Sequence, residues 1–88
     1  MKIKEGFVLR NVAGSNVICA VGSRSREFKG IIELNDSSSF LFNKILEGAS
    51  SIDELVKLML DEYEIDKETA RIDIEEFVNI LTEAKVIE

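Results

Sequence analysis

The hydrophobic period of this chain changes once, at Asn35, and that change limits the folds open to it. Before Asn35, apolar and polar residues alternate over short runs, as half-buried strands require; after it, apolar residues recur three and four apart, as helices with one buried stripe require. Residues 7–12 and 17–21 are β-prone runs separated by Ala13-Gly14-Ser15-Asn16, a cluster of turn formers, so they read as a hairpin. In the second run Val17, Cys19 and Val21 share one face, and Ile18 and Ala20 the other. A polar loop over residues 22–26 leads to a third strand over residues 30–34. That strand puts Ile32 and Leu34 on one face and Ile31 and Glu33 on the other. Isoleucine on both faces is more than one small core needs from an outer strand.

The helical part divides into three. Asn35, Asp36 or Ser37 can cap a first helix carrying Phe40, Leu41, Ile45 and Leu46, which Gly48 stops. Ser51-Ile52-Asp53-Glu54 has the spacing of a capping box, in which serine and glutamate each bond the other's free backbone N–H. The second helix is expected to bury Ile52, Leu55, Val56, Met59 and Tyr63. Asp66 caps a third, whose stripe runs Ala70, Ile74, Phe77, Leu81, Ala84, widened by Val78 on one side and Ile80 on the other. Three strands followed by three helices, with short connections, imply a single α+β domain over residues 1–88, its helices on one face of a small antiparallel sheet.

Little here suits catalysis. The 88 residues include no histidine, which removes the commonest general base and a major metal ligand. Cys19 lies in an apolar run and reads as a small buried hydrophobe. Asp61, Glu62, Glu64, Asp66 and Glu68 crowd together but lack the glycine and ligand spacing of a calcium loop, so they read as a solvated acidic surface. No catalytic residue, metal or cofactor is expected. A membrane span needs about 20 apolar residues, and no such run occurs; the first residues also lack the apolar core of a secretory signal. A lone cysteine suits a reducing compartment. A cytoplasmic location, away from membranes, is the expectation.

Charge separates the remaining classes. Through Leu34 the bases Lys2, Lys4, Arg10, Arg24, Arg26 and Lys29 outnumber the acids; from Asn35 onward five bases face fourteen acids, and the net charge is −6. A helix–turn–helix after strands is compatible with a DNA-binding winged helix. The third helix would then have to enter the groove, and its Glu68, Asp73, Glu75, Glu76 and Glu83 outnumber Lys67, Arg71 and Lys85. Phosphate would repel it, so no nucleic-acid partner is expected. An extended peptide is the better fit, because a three-stranded sheet leaves edges with unpaired backbone groups. Four or five new backbone bonds at about 1 kcal/mol each give about 5 kcal/mol, whereas micromolar binding needs about 8. Apolar side chains must supply the rest. Ile31 with Val78 offers one such grip; the alternative is that Ile31 packs under a helix end.

Read together, these features resemble the PqqD-like family, named for pyrroloquinoline quinone synthesis protein D and also called the RiPP recognition element. Phe7-Val8-Leu9-Arg10 and residues 17–21 resemble its N-terminal hairpin, and residues 30–35 its strand ending in leucine-asparagine. Residues 40–48 and 51–63 resemble its first two helices. Asp73-Ile74, Phe77, Leu81 and Val86-Ile87 resemble its final helix and end. The resemblance implies a winged-helix-like domain that binds no DNA. It would hold the leader segment of a ribosomally made precursor peptide and deliver it to a modifying enzyme, often a radical-SAM protein. The leader would add a strand beside the third strand, in a groove walled by the third helix. The residues implied are Lys29, Gly30, Ile31, Ile32, Glu33 and Leu34, with Arg71, Ile74, Glu75 and Val78 from the helix; Lys29 or Arg71 would match an acidic leader. The quinone-synthesis members proper tend to carry an aromatic near the C-terminus, whereas this chain ends Lys85-Val86-Ile87-Glu88 and has no tryptophan. It therefore falls in the broader family. Two other readings remain open: a winged-helix nucleic-acid or regulatory module, and a docking domain that binds only a partner enzyme. Homodimerisation through the same strand edge is open as well.

Overall fold

The computed structural model describes all 88 residues. Strands β1 (Phe7–Val12) and β2 (Ser15–Ala20) form an antiparallel hairpin in register from Phe7↔Ala20 to Val12↔Ser15. The turn is tighter than the sequence suggests. Only Ala13 and Gly14 lie between the strands, and both have positive φ (52° and 86°), the backbone that matches the right-handed twist of a two-residue hairpin. Residues 22–26 form a 3-10 turn in place of the expected open loop. It is held by Arg24, whose Nε donates to the Glu5 carbonyl (3.0 Å) and whose guanidinium lies 5.6 Å from the Phe7 ring centre. Strand β3 (Ile32–Leu34) is shorter than expected. It pairs with β2 from Asn16↔Leu34 to Ile18↔Ile32, and Gly30 and Ile31 precede it outside the ladder.

Three helices follow, each capped as the sequence indicates. Helix α1 (Asp36–Glu47) begins where Asn35 Oδ1 accepts the Ser38 N–H, and ends at Gly48, whose φ of 124° favours glycine. Helix α2 (Ile52–Glu62) begins where Ser51 Oγ accepts the Glu54 N–H. The box is offset by one residue, since the Glu54 carboxylate reaches the N–H of Ser50. Helix α3 (Lys67–Glu83) starts at Asp66, which accepts from both the N–H and the hydroxyl of Thr69. These two bonds hold the Asp66 carboxyl below the ordinary carboxylate range.

The helices cover one face of the sheet. Ile18, Phe42, Leu55, Ile74, Leu81 and Val86 are completely buried there, each side chain contributing about 1.5–3 kcal/mol on removal from water. The two ends of the chain are clasped against each other. The Lys4 N–H donates to the Val86 carbonyl (2.8 Å) and the Glu88 N–H to the Lys2 carbonyl (2.9 Å), around an Ile3↔Ile87 bridge. Two burial expectations need correction. Tyr63 lies beyond α2, partly exposed, with its ring edge-on to Phe40 (5.5 Å between centres). Cys19 is half-buried, because its face of the hairpin is the outer one, away from the helices. On that face Val17 is nonetheless covered, flanked by Arg10 on β1 and Glu33 on β3. No helix is long and apolar enough to cross a membrane.

Candidate functional site

The strand order β1-β2-β3 leaves the second edge of β3 without a partner. The sequence places Gly30-Ile31-Ile32-Glu33-Leu34 along that edge, and the side chains alternate as expected. Leu34 is buried and Ile32 half-buried on the helix side, while Lys29, Ile31 and Glu33 are exposed. Ile31 is 63% exposed, the most exposed large apolar side chain in the protein; it does not pack under a helix end. At Gly30 an added Cβ would meet no atom within 4 Å, and φ is not positive there. Nothing inside the chain therefore requires a glycine at this position.

Helix α3 supplies a wall at the C-terminal end of β3. Asp73, Glu76, Phe77 and Ile80 face Asn35, Ser37 and Ser38 across an open cavity of about 210 Å³. At the other end, Ala84 and Lys85 share a smaller cavity with Phe28, just before β3. Helix and strand thus run in opposite directions. Phe77 forms the buried floor, and Ile80 is 45% exposed above it. Asn35 is fixed by its capping role, with the Ser37 hydroxyl also donating to its Oδ1 (3.0 Å).

The helix residues expected from the sequence lie elsewhere. Arg71 pairs with Asp53 of α2 and, with Lys67, lines a separate cavity against that helix. The pairing lowers the Asp53 carboxyl below its ordinary value and raises the guanidinium, whose charge Glu75 also supports. Glu75 is exposed near Arg71, and Val78 is half-buried against the core. Ile74 is fully buried in the core. Ile32, Glu33 and Leu34 thus form the free edge of β3, with Lys29, Gly30 and Ile31 leading into it, while Arg71 is paired with α2 and Ile74 is buried in the core. Asp73, Glu76, Phe77 and Ile80 instead line the cavity beyond the C-terminal end of β3, opposite Asn35, Ser37 and Ser38. Ile80 was visible as a widening of the apolar stripe, but the stripe alone does not say which flank meets the sheet.

Comparison with known proteins agrees with this architecture. The family model of coenzyme PQQ synthesis protein D matches residues 8–87. The chain belongs to the PqqD family. Among solved structures, the PqqD-family chain is similar to TbiB1 in complex with the TbiA(beta) leader peptide. That likeness has a TM-score of 0.78 and 22% identity, covering 100% of this chain and 95% of the other. It is also similar to a lasso peptide synthetase B1 complexed with the leader peptide, with a TM-score of 0.71 and 21% identity over 98% and 93% of the two chains. Comparison with curated protein sequences gives no match. Three antiparallel strands followed by three helices are thus the fold of this PqqD-family chain, as its sequence led one to expect.

Proposed function

We propose that this protein is a non-catalytic adaptor that captures the leader segment of a ribosomally synthesised precursor peptide and presents it to a modifying enzyme. The observation that carries the reading is the unpaired edge of β3, with α3 and its exposed Ile80 lining a cavity beyond the strand's C-terminal end, in a chain of the PqqD family. Similar folds in TbiB1 and the lasso peptide synthetase B1 are complexed with leader peptides. An added strand gains backbone bonds along Ile31 to Leu34, and Ile31 and Ile80 supply the apolar contacts that backbone bonds alone lack. The modifying enzyme is the partner to which the leader is delivered, a radical-SAM protein being the candidate the family suggests.

The test is fluorescence anisotropy with a labelled leader peptide from a short precursor encoded beside this chain. Micromolar saturable binding supports the adaptor. Absence of binding by the folded protein, together with capture of the neighbouring modifying enzyme, would favour a domain that docks enzyme alone.

A further inference from the structure

The chemistry of the α3 wall limits which leader can occupy the edge. Asp73 and Glu76 both line the cavity at the end of β3, next to the apolar surface of Phe77 and Ile80. Neither carboxylate takes part in a salt bridge, in contrast to Asp53 on the other side of the helix pair. A strand laid along β3 would cover this wall and strip water from the carboxylates. That is costly for an unpaired charge and much less so for one met by a cation. The basic residue closest in sequence to β3 is Lys29, which precedes the strand, whereas the acidic wall lies at the strand's C-terminal end.

We propose that the groove selects a leader segment carrying a lysine or arginine opposite Asp73 and Glu76. This inference rests on the adaptor reading above and specifies the ligand of that same site. The aliphatic stem of a long basic side chain would lie on Ile80 while its charged end meets the carboxylates. An acidic residue at the same place would be excluded by like charge. The acids that dominate the chain after Asn35 would steer a cationic segment toward this side. This differs in sign from the acidic leader expected from Lys29 or Arg71: Arg71 is paired with Asp53 on the far flank, and Lys29 precedes β3, at the end away from the acidic wall.

A displayed library of random peptides, selected against the wild-type protein and against D73K/E76K, tests this. Circular dichroism checks that the variant folds, and amide NMR shifts at Ile32 to Leu34 show which selected peptides bind at the edge. Edge-binding peptides enriched in lysine or arginine for the wild type, with the preference inverted in D73K/E76K, support the proposal. A wild-type-selected peptide is then expected to bind the double variant about tenfold more weakly, and D73N/E76Q by an intermediate factor. Edge-binding peptides without a basic preference, or with one unchanged by charge reversal, overturn the proposal and leave the adaptor reading intact. Selection of no edge-binding peptide overturns both.

Discussion

Arg71 on α3 donates to the carboxylate of Asp53 on α2, which closes one flank of α3 against its neighbouring helix. The opposite flank, with Asp73, Glu76 and Ile80, is the one left facing the end of β3. This asymmetry separates residues that hold the helices together from residues available to a peptide. It predicts that Arg71→Ala leaves leader affinity within about twofold, since the pair is exposed and such pairs contribute little. Ile80→Ala is expected to weaken binding severalfold with hardly any change in stability. Anisotropy titrations and urea unfolding of both variants check the contrast.

Ile74 sits one helical turn from Phe77 and Val78, yet it is completely buried. Ile74→Val is therefore expected to cost about 0.5–1.5 kcal/mol of stability without altering leader affinity. Loss of binding by the folded variant would place Ile74 in the groove after all.

Two glycines give opposite expectations. Gly6 has a φ of 98°, and an added Cβ would stand 2.5 Å from Cβ of Arg24; Gly6→Ala is expected to destabilise the fold by more than about 1 kcal/mol. Gly30 has open space around it, so Gly30→Ala is expected to leave unfolding unchanged while weakening the leader's close backbone approach. Thermal melts and leader titrations of the two variants distinguish the roles.

Acid stability follows from Asp53 and Asp66. Arg71 lowers the first carboxyl and the Thr69 bonds lower the second, so both bind protons less readily folded than unfolded. Their stabilisation is fully present above the unfolded value, about 3.9, and is lost as pH falls through the lower folded values. Urea midpoints are expected to drop below about pH 4, and D53N/D66N is expected to flatten that dependence. The Asp53 share is expected to shrink in high salt, because the pair is exposed.

Much of the fold was legible because local rules and tertiary structure agree. The period change at Asn35, the caps at Ser51 and Asp66, and the glycine stop at Gly48 each act within a few residues, and each forms as read. The alternation of Ile31, Ile32, Glu33 and Leu34 was equally visible, and the strand exposes and buries them as that alternation requires. The orientation of α3 was less legible. Val78 and Ile80 flank the same stripe, and only the packing of α3 against α2, fixed partly by Arg71 and Asp53, decides which one faces the cavity at Asn35, beyond the end of β3. Tyr63 fell to a similar cause: its position suits the buried face of α2, but the helix ends at Glu62 and the ring rests against Phe40. The clasp of Ile3 with Ile87 joins the two ends of the chain, a separation that no local pattern spans.

On the proposed reading, the free edge of β3 and the Asp73–Ile80 flank of α3 receive a leader peptide. Titration of isotope-labelled protein with the leader peptide, followed by amide NMR, tests it most directly. Shifts are expected to concentrate at Lys29 to Leu34 and at Asp73, Glu76, Phe77 and Ile80, with Arg71 and Glu75 little moved. Shifts confined to Arg71, Glu75 and Val78, or none at high micromolar peptide with the protein folded, would contradict it.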